Sequence, residues 1–193
     1  MNTPLMWGLI IGAAVIVAAV FFTVRRRRTE RLRQRFGAEY DRTVSGARTV
    51  AQGEAALIER QQRVEKLQIR PLPPDDARRF SQAWRDVQTR FVDDPTSAIV
   101  DANRLVGEVM HARGYPVGDF EQRVADVSVD HPNVVMNYRA AKDIVDEHER
   151  GTATTEDMRQ AMVHYRALFA ELVDEGARPR SAEPAATTGG TRR

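Results

Sequence analysis

The chain has 193 residues, enough for one domain of ordinary size and a membrane anchor. It contains no cysteine, which excludes disulfide bonds, thiolate metal sites and a cysteine nucleophile. The net charge of +2 is unevenly distributed, because residues 25–74 carry 13 basic and 6 acidic side chains, whereas residues 75–175 carry 12 basic and 20 acidic ones. We expect no nucleic-acid partner, since binding phosphate backbones requires a continuous positive face.

The N-terminal region contains an apolar run that is long enough to span a bilayer. After a short N-terminus, residues 1–4, the run Leu5–Val24 holds 20 residues without a charge. A helix of that length covers about 30 Å, the thickness of a bilayer's hydrocarbon core. A cleaved signal peptide is the alternative, but it would carry a basic segment before a shorter apolar run. The sequence therefore predicts an uncleaved transmembrane helix.

Seven arginines follow this run within eleven residues, from Arg25 to Arg35. Basic residues that flank a span stay on the cytoplasmic side. We therefore expect a single-pass cell-membrane protein with the bulk of the chain in the cytoplasm, the alternative being a secreted or outward-facing chain. The side chains predicted to contact anionic headgroups at the membrane surface are Arg25, Arg26, Arg27 and Arg28.

Gly8 and Gly12 form a G-x-x-x-G pattern inside the predicted span. Two glycines four residues apart make a groove in which two helix backbones approach closely. The pattern favours helix pairing, and with it a homodimer through the transmembrane helix and the stalk that follows. Because glycine is common in membrane helices generally, the pattern is also explained without pairing.

Residues 25–68, the basic juxtamembrane region and stalk, contain no proline and are mostly helix-forming. One row of residues recurs every seven positions: Phe36, Thr43, Val50, Leu57 and Val64. The neighbouring row is too polar for a strong coiled coil, since it reads Tyr40, Ala47, Glu54 and Gln61. We predict a stalk helix with modest self-association, the alternative being a helix that lies along the rest of the protein or the membrane.

A proline-rich connector, residues 69–73, ends the stalk, and residues 74–175 show helical periodicity with clear punctuation. The helix boundaries are marked by Asp94–Pro95, Asp130–Pro132, Gly151 and Thr154–Asp157. The fold class is thus all-α, with an antiparallel bundle of four main helices plus one short helix. Trp84 is predicted to be buried in it, and residues 176–193 are predicted to be disordered.

No residue pattern predicts catalysis, so we expect no enzyme, no catalytic residue, no metal and no cofactor. The four histidines lie on different predicted helices or caps: His111, His131, His148 and His164. Glu108 and His111 form a single E-x-x-H, and a di-metal site would need a second. The acidic run of residues 143–150 predicts a solvated face. Met158 and Met162 are predicted to lie in the core, with a groove for a partner helix as the alternative.

The loop Arg113–Asp119, with the sequence RGYPVGD, is the candidate partner contact. Tyr115 is expected to be exposed there, as an aromatic anchor of the kind found at interface hot spots. The alternative is a tight interhelical turn. We expect a non-catalytic interaction or scaffolding module at the cytoplasmic face, with an unknown protein partner. The alternative is an exported bundle that binds envelope components or a small ligand.

Several segments resemble an uncharacterised bacterial family of single-span or signal-bearing helical proteins, often generically labelled secreted proteins. The resemblance covers roughly residues 30–173 and is carried by FGAEYDRTV (36–44), VEKLQIRPL (64–72), RFVDDP (90–95), VMHARGYPVGDFEQR (109–123), VSVDHPNVV (127–135) and TTEDMRQAMVHYRALF (154–169). It implies no known activity and therefore no functional residue. The label also conflicts with the cytoplasmic topology expected from the arginines.

Overall fold

The computed structural model describes residues 3–116 and 118–174, except for the side chains of residues 3–11 and 14. All regular structure in these residues is helical, which confirms the predicted all-α class. The described residues form eight helices: α1 (Thr3–Phe36), α2 (Ala38–Ser45), α3 (Val50–Glu65), α4 (Pro74–Arg90), α5 (Pro95–Arg113), α6 (Phe120–Asp130), α7 (Pro132–Glu149) and α8 (Thr155–Asp174). The tail predicted to be disordered, residues 176–193, lies outside the described residues.

The helices belong to two compact units. Unit 1 comprises Met1–Leu67 and Gly118–Arg139, and unit 2 comprises Gln68–Val117 and Ala140–Arg193. Helix α6 therefore belongs to unit 1, although the sequence placed it in one bundle with α4, α5, α7 and α8. An amphipathic pattern shows that a helix has an apolar face, but it does not show which partner covers that face.

In unit 1 the stalk predicted as one helix is instead three helical segments. The chain turns after α1 at Gly37, whose φ is positive (52°), a conformation that glycine adopts without steric cost. Helix α2 then packs against α3, and the two backbones lie close together at Gly53. A Cβ atom added to Gly53 would lie 2.8 Å from the Cα atom of Val44.

The seven-residue repeat of the stalk contributes to the core of unit 1. Phe36, Leu57 and Val64 are buried, whereas Val50 is 49% exposed. Buried side chains of α6 and α7 also belong to this core and include Val124, Val127, Val135 and Tyr138. The apolar positions of the repeat are thus mostly covered within this chain, without a second copy.

Unit 2 contains α4, α5, α8 and the part of α7 that follows Arg139. Trp84 of α4 is buried, as predicted, and its ring stacks on Phe169 of α8 with the ring centroids 4.7 Å apart. Met158 and Met162 of α8 are also buried, which agrees with their predicted place in the core.

Three of the predicted helix boundaries are confirmed by their hydrogen bonds or backbone angles. Asp94 caps α5 by accepting from the backbone N–H of Ser97 at 3.0 Å, and Pro95 is the first helical residue. Thr154 and Asp157 form a reciprocal capping box before α8, in which each accepts a hydrogen bond from the backbone N–H of the other. Gly151, with φ 73°, follows the end of α7.

Among the residues that the structure describes, no helix is long and apolar enough to cross a membrane. The predicted span Leu5–Val24 lies on α1, and the side chains of residues 5–11 and 14 within it lie outside the described part.

Candidate functional site

The middle of α1 presents an apolar surface on all sides. Its large side chains are between 55% and 74% exposed, and they are Val15, Ile16, Val17, Val20, Phe21, Phe22 and Val24. Successive helical residues are rotated by about 100°, so these positions point in every direction around the axis. A helix that is apolar all round requires a nonpolar environment on all sides.

The four arginines predicted to meet the membrane surface follow directly on the same helix. Arg25 to Arg28 are all exposed, and α1 continues through them without a break. Arg26 is 3.9 Å from Glu30, an exposed pair that contributes little to stability. A belt of positive charge therefore borders the apolar surface of α1.

A cleft of about 270 Å³ lies between this part of α1 and the first turns of α3. Phe21 and Val24 line its apolar side, and Arg25 and Arg28 add two guanidinium groups. From α3 the cleft is lined by Ala51 and Glu54. All six lining residues belong to unit 1.

Glu54 is the buried acidic member of this cleft, with 4% of its surface exposed. Its Oε1 atom accepts hydrogen bonds from the Thr29 hydroxyl at 2.6 Å and from the Tyr40 hydroxyl at 3.1 Å. Burial raises the pKa of Tyr40 above its usual value, and the hydrogen bond to Glu54 raises it further. These contacts join α1, α2 and α3, and on α1 they begin at Thr29, the residue that follows Arg28.

A second buried charge in unit 1 is Glu39, which is 1% exposed. Its carboxylate accepts from Arg60 at 3.1 Å and from Arg139 at 3.0 Å. Arg139 also donates to Glu121, whose side chain is 72% exposed. Burial acts to lower the pKa of Arg139, but the hydrogen bonds to Glu39 and Glu121 together raise it.

The third buried carboxylate, Asp126, lies on α6 and is fully buried. The Arg63 guanidinium donates to its Oδ1 atom from Nε at 3.0 Å, and the Gln122 amide donates to it at 2.9 Å. All three buried carboxylates of unit 1 described above are thus held by side chains of the same unit. Buried carboxylates that are hydrogen-bonded in this way fix the positions of the helices that they connect.

The expectation that Tyr115 is exposed is wrong, because the structure leaves only 1% of its surface accessible. The turn containing it is packed against the connector of unit 2: Arg70 N–H donates to the Arg113 carbonyl at 2.9 Å. Gly114 has φ 98°, and a Cβ atom there would lie 2.6 Å from the Gln68 carbonyl oxygen. This close packing makes the segment a turn with a buried aromatic ring, so Tyr115 is not a surface anchor.

The helix-pairing pattern is described only in part. Gly12 is exposed, and a Cβ atom added to it would meet nothing within 4 Å. Gly8 lies where the structure describes the backbone of α1 but not the side chains. The described surface of Gly12 is therefore open to a second helix.

The histidines and acidic residues singled out in the sequence are dispersed. His131 is buried between α6 and α7, and His148 is hydrogen-bonded to Thr96 at 3.1 Å. Glu108 accepts from Arg104, its neighbour on the surface of α5. In the described ranges, no three His, Asp or Glu side chains are grouped as a metal ion requires.

The sequence did not predict the buried charges of unit 1, although one indication was present. The polar row that argued against a strong coiled coil contains Tyr40 and Glu54, which the structure joins through a hydrogen bond. A polar pair on an otherwise apolar face indicates such a buried contact. Glu39, Asp126 and Arg139 have no comparable local pattern.

The chain matches no known protein-family model, no curated protein and no solved structure.

Proposed function

We propose that this protein is a single-pass membrane protein whose segment Leu5–Val24 spans the bilayer, with the helical units on the cytoplasmic side. The proposal rests on one observation, the all-round apolar exposure of α1 over residues 15–24 directly before four exposed arginines. A bilayer covers such a surface completely, and the arginines then lie at its cytoplasmic boundary. The alternative is an outward-facing or secreted chain, and the test below distinguishes the two.

We also propose that the helical units serve as a non-catalytic interaction or scaffolding module with an unidentified protein partner. Glu39, Glu54 and Asp126 already accept hydrogen bonds from side chains of unit 1, which supports a structural use of these carboxylates. Pairing of two copies through Gly8 and Gly12 is part of this proposal, and the open surface at Gly12 supports it.

The anchor is tested by alkaline extraction of membranes that contain the full chain. The wild-type protein is expected to stay in the pellet. Replacing Ile16 and Val20 with arginine should release it, because a charge inside the span is unfavourable, by about 2.5–3.5 kcal/mol at the centre of the helix. Both positions are more than half exposed, so the fold of unit 1 does not require them. The matched control replaces Val92 and Val100 of unit 2, which are also more than half exposed, with arginine, and this variant should remain in the pellet.

The orientation is tested with reporters fused after Arg193. A reporter that works only in the cytoplasm should be active, and one that works only after export should be inactive. Activity of the exported reporter would support the outward-facing alternative. A mature chain that begins after Val20 would show that the segment is a cleaved signal peptide, and wild-type protein in the alkaline supernatant would show that there is no anchor.

A further inference from the structure

We propose that the cleft between α1 and α3 binds the headgroup of an anionic phospholipid, phosphatidylglycerol. This inference rests on the proposed membrane span, since it places the cleft at the membrane boundary. It goes further by assigning a defined lipid site to the fold, in addition to the general attraction of the arginine belt. The cleft is lined by Phe21, Val24, Arg25, Arg28, Ala51 and Glu54.

The first step is the position of the cleft along α1. Phe21 and Val24 belong to the last turn of the predicted span, and they line the same cleft as Ala51. The beginning of α3 therefore lies beside the end of the span. Arg48, in the preceding turn, and Val50 are both exposed at this end of unit 1. The α2–α3 turn thus faces the headgroup layer.

The second step is the chemistry of the two walls. Arg25 and Arg28 lie three residues apart on the cleft side of α1, so their guanidinium groups can approach one phosphate from the same side. Guanidinium groups bind phosphate oxygens through paired hydrogen bonds. Phe21 and Val24, one turn closer to the membrane interior, supply an apolar surface for the start of the acyl chains. Along α1 the lining of the cleft therefore changes from apolar to positively charged, in the same order as the acyl chains and the phosphate of a phospholipid.

The third step is the effect of Glu54. Its buried carboxylate places a negative charge at one wall of the cleft, which disfavours a second phosphate but accepts hydrogen bonds from hydroxyl groups. The Thr29 and Tyr40 hydroxyls already bond to Oε1 of this carboxylate. A headgroup with one phosphate and free hydroxyl groups matches these walls. The glycerol headgroup of phosphatidylglycerol has this composition.

The fourth step separates the cleft from the rest of the arginine belt. Arg26 and Arg27 are exposed but do not line the cleft, because each residue of α1 is rotated by about 100° from the last. Two double variants can therefore each remove two positive charges from the arginine belt. Arg25→Gln with Arg28→Gln changes the cleft, and Arg26→Gln with Arg27→Gln does not.

The experiment uses the full chain in detergent micelles and counts bound phosphatidylglycerol by native mass spectrometry. The cleft variant should lose affinity by about tenfold relative to the wild type, whereas the control variant should stay within about twofold. Phosphatidylcholine, which is neutral and has no headgroup hydroxyl, should bind much more weakly to the wild type. Circular dichroism confirms that both variants keep their helices.

A second pair of variants blocks the cleft without changing its charge. Ala51→Trp should fill the space and abolish binding, whereas Ala55→Trp, on an exposed position of α3 that does not line the cleft, should not. Equal losses in the two arginine variants would overturn the proposal, as would unchanged binding in Ala51→Trp or equal binding of phosphatidylcholine. If any of these results is obtained while the wild-type protein still resists alkaline extraction, the proposed lipid site is wrong but the proposed membrane span stands. If the wild-type protein is extracted, both proposals fail.

Discussion

Arg139 donates two hydrogen bonds to Glu39 although 100 residues separate them along the chain: Nη2 lies 3.0 Å from Glu39 Oε1, and Nε lies 3.4 Å from Oε2. Both side chains are buried. The contact joins α2 to α7 within unit 1, and Arg60 of α3 binds the same carboxylate. One buried carboxylate therefore connects three helices of this unit.

Arg139→Met should lower the free energy of unfolding by about 1.5–3 kcal/mol, because it removes the hydrogen bonds of Arg139 to the buried Glu39 carboxylate, which then keeps only Arg60. The measurement is denaturant unfolding of the full chain in micelles, followed by circular dichroism. Arg104→Met is the matched control. Arg104 makes exposed ion pairs, so this substitution should lower the free energy of unfolding by about 1 kcal/mol or less. The double variant with Glu39→Met should recover part of the loss. A loss below about 1 kcal/mol for Arg139→Met would contradict the importance of this ion pair.

Two glycine-to-alanine substitutions should change stability in opposite directions. Gly53→Ala should destabilise unit 1 by about 1–3 kcal/mol, because its Cβ would lie 2.8 Å from the Cα atom of Val44. Gly107→Ala should stabilise α5 by up to about 1 kcal/mol, since nothing lies within 4 Å of its added Cβ and alanine favours a helix. Thermal unfolding of both variants checks the signs. A more stable Gly53→Ala variant would show that α2 and α3 can separate without cost.

Trp84→Ala should destabilise unit 2 by about 3–5 kcal/mol, the usual cost of removing a large aromatic side chain from a core. The reason is its burial and its stacking on Phe169. Denaturant unfolding provides the measurement, and Val92→Ala, at a position that is 81% exposed, is the control and should change little. A loss of less than about 1 kcal/mol for Trp84→Ala would mean that the ring is not a core group.

The start of α8 should lose stability in acid. The Arg159 side chain lowers the pKa of Glu156 to about 2, with a smaller contribution from Gln160, compared with a usual value of 4.5. Because the folded-state pKa is depressed, this stabilisation is present above pH 4.5 and is lost as the pH falls through about 2. NMR titration of the carboxyl group measures the pKa directly. Arg159→Gln should raise it toward 4.5, and an unchanged value would contradict the assigned cause.

Local patterns in the sequence were sufficient for three of the helix boundaries in residues 74–174. The Asp94 cap, the Thr154–Asp157 capping box and the stop at Gly151 each depend on residues within one turn, so they are readable without the fold. The apolar run before Arg25 is also a property of sequence alone. These features specify an all-α chain and, with the positive-inside rule, predict a membrane anchor.

Tertiary structure alone decided which helices pack together and which polar groups are buried. Tyr115 was predicted to be exposed because it lies in the loop Arg113–Asp119, but packing of its segment against the connector of unit 2 buries it. The assignment of α6 to unit 1 and the pairing of Glu39 with Arg139 depend on residues far apart in the chain. Periodicity identifies a buried face but is the same for every partner that could cover it, so these contacts emerge only when the helices are assembled.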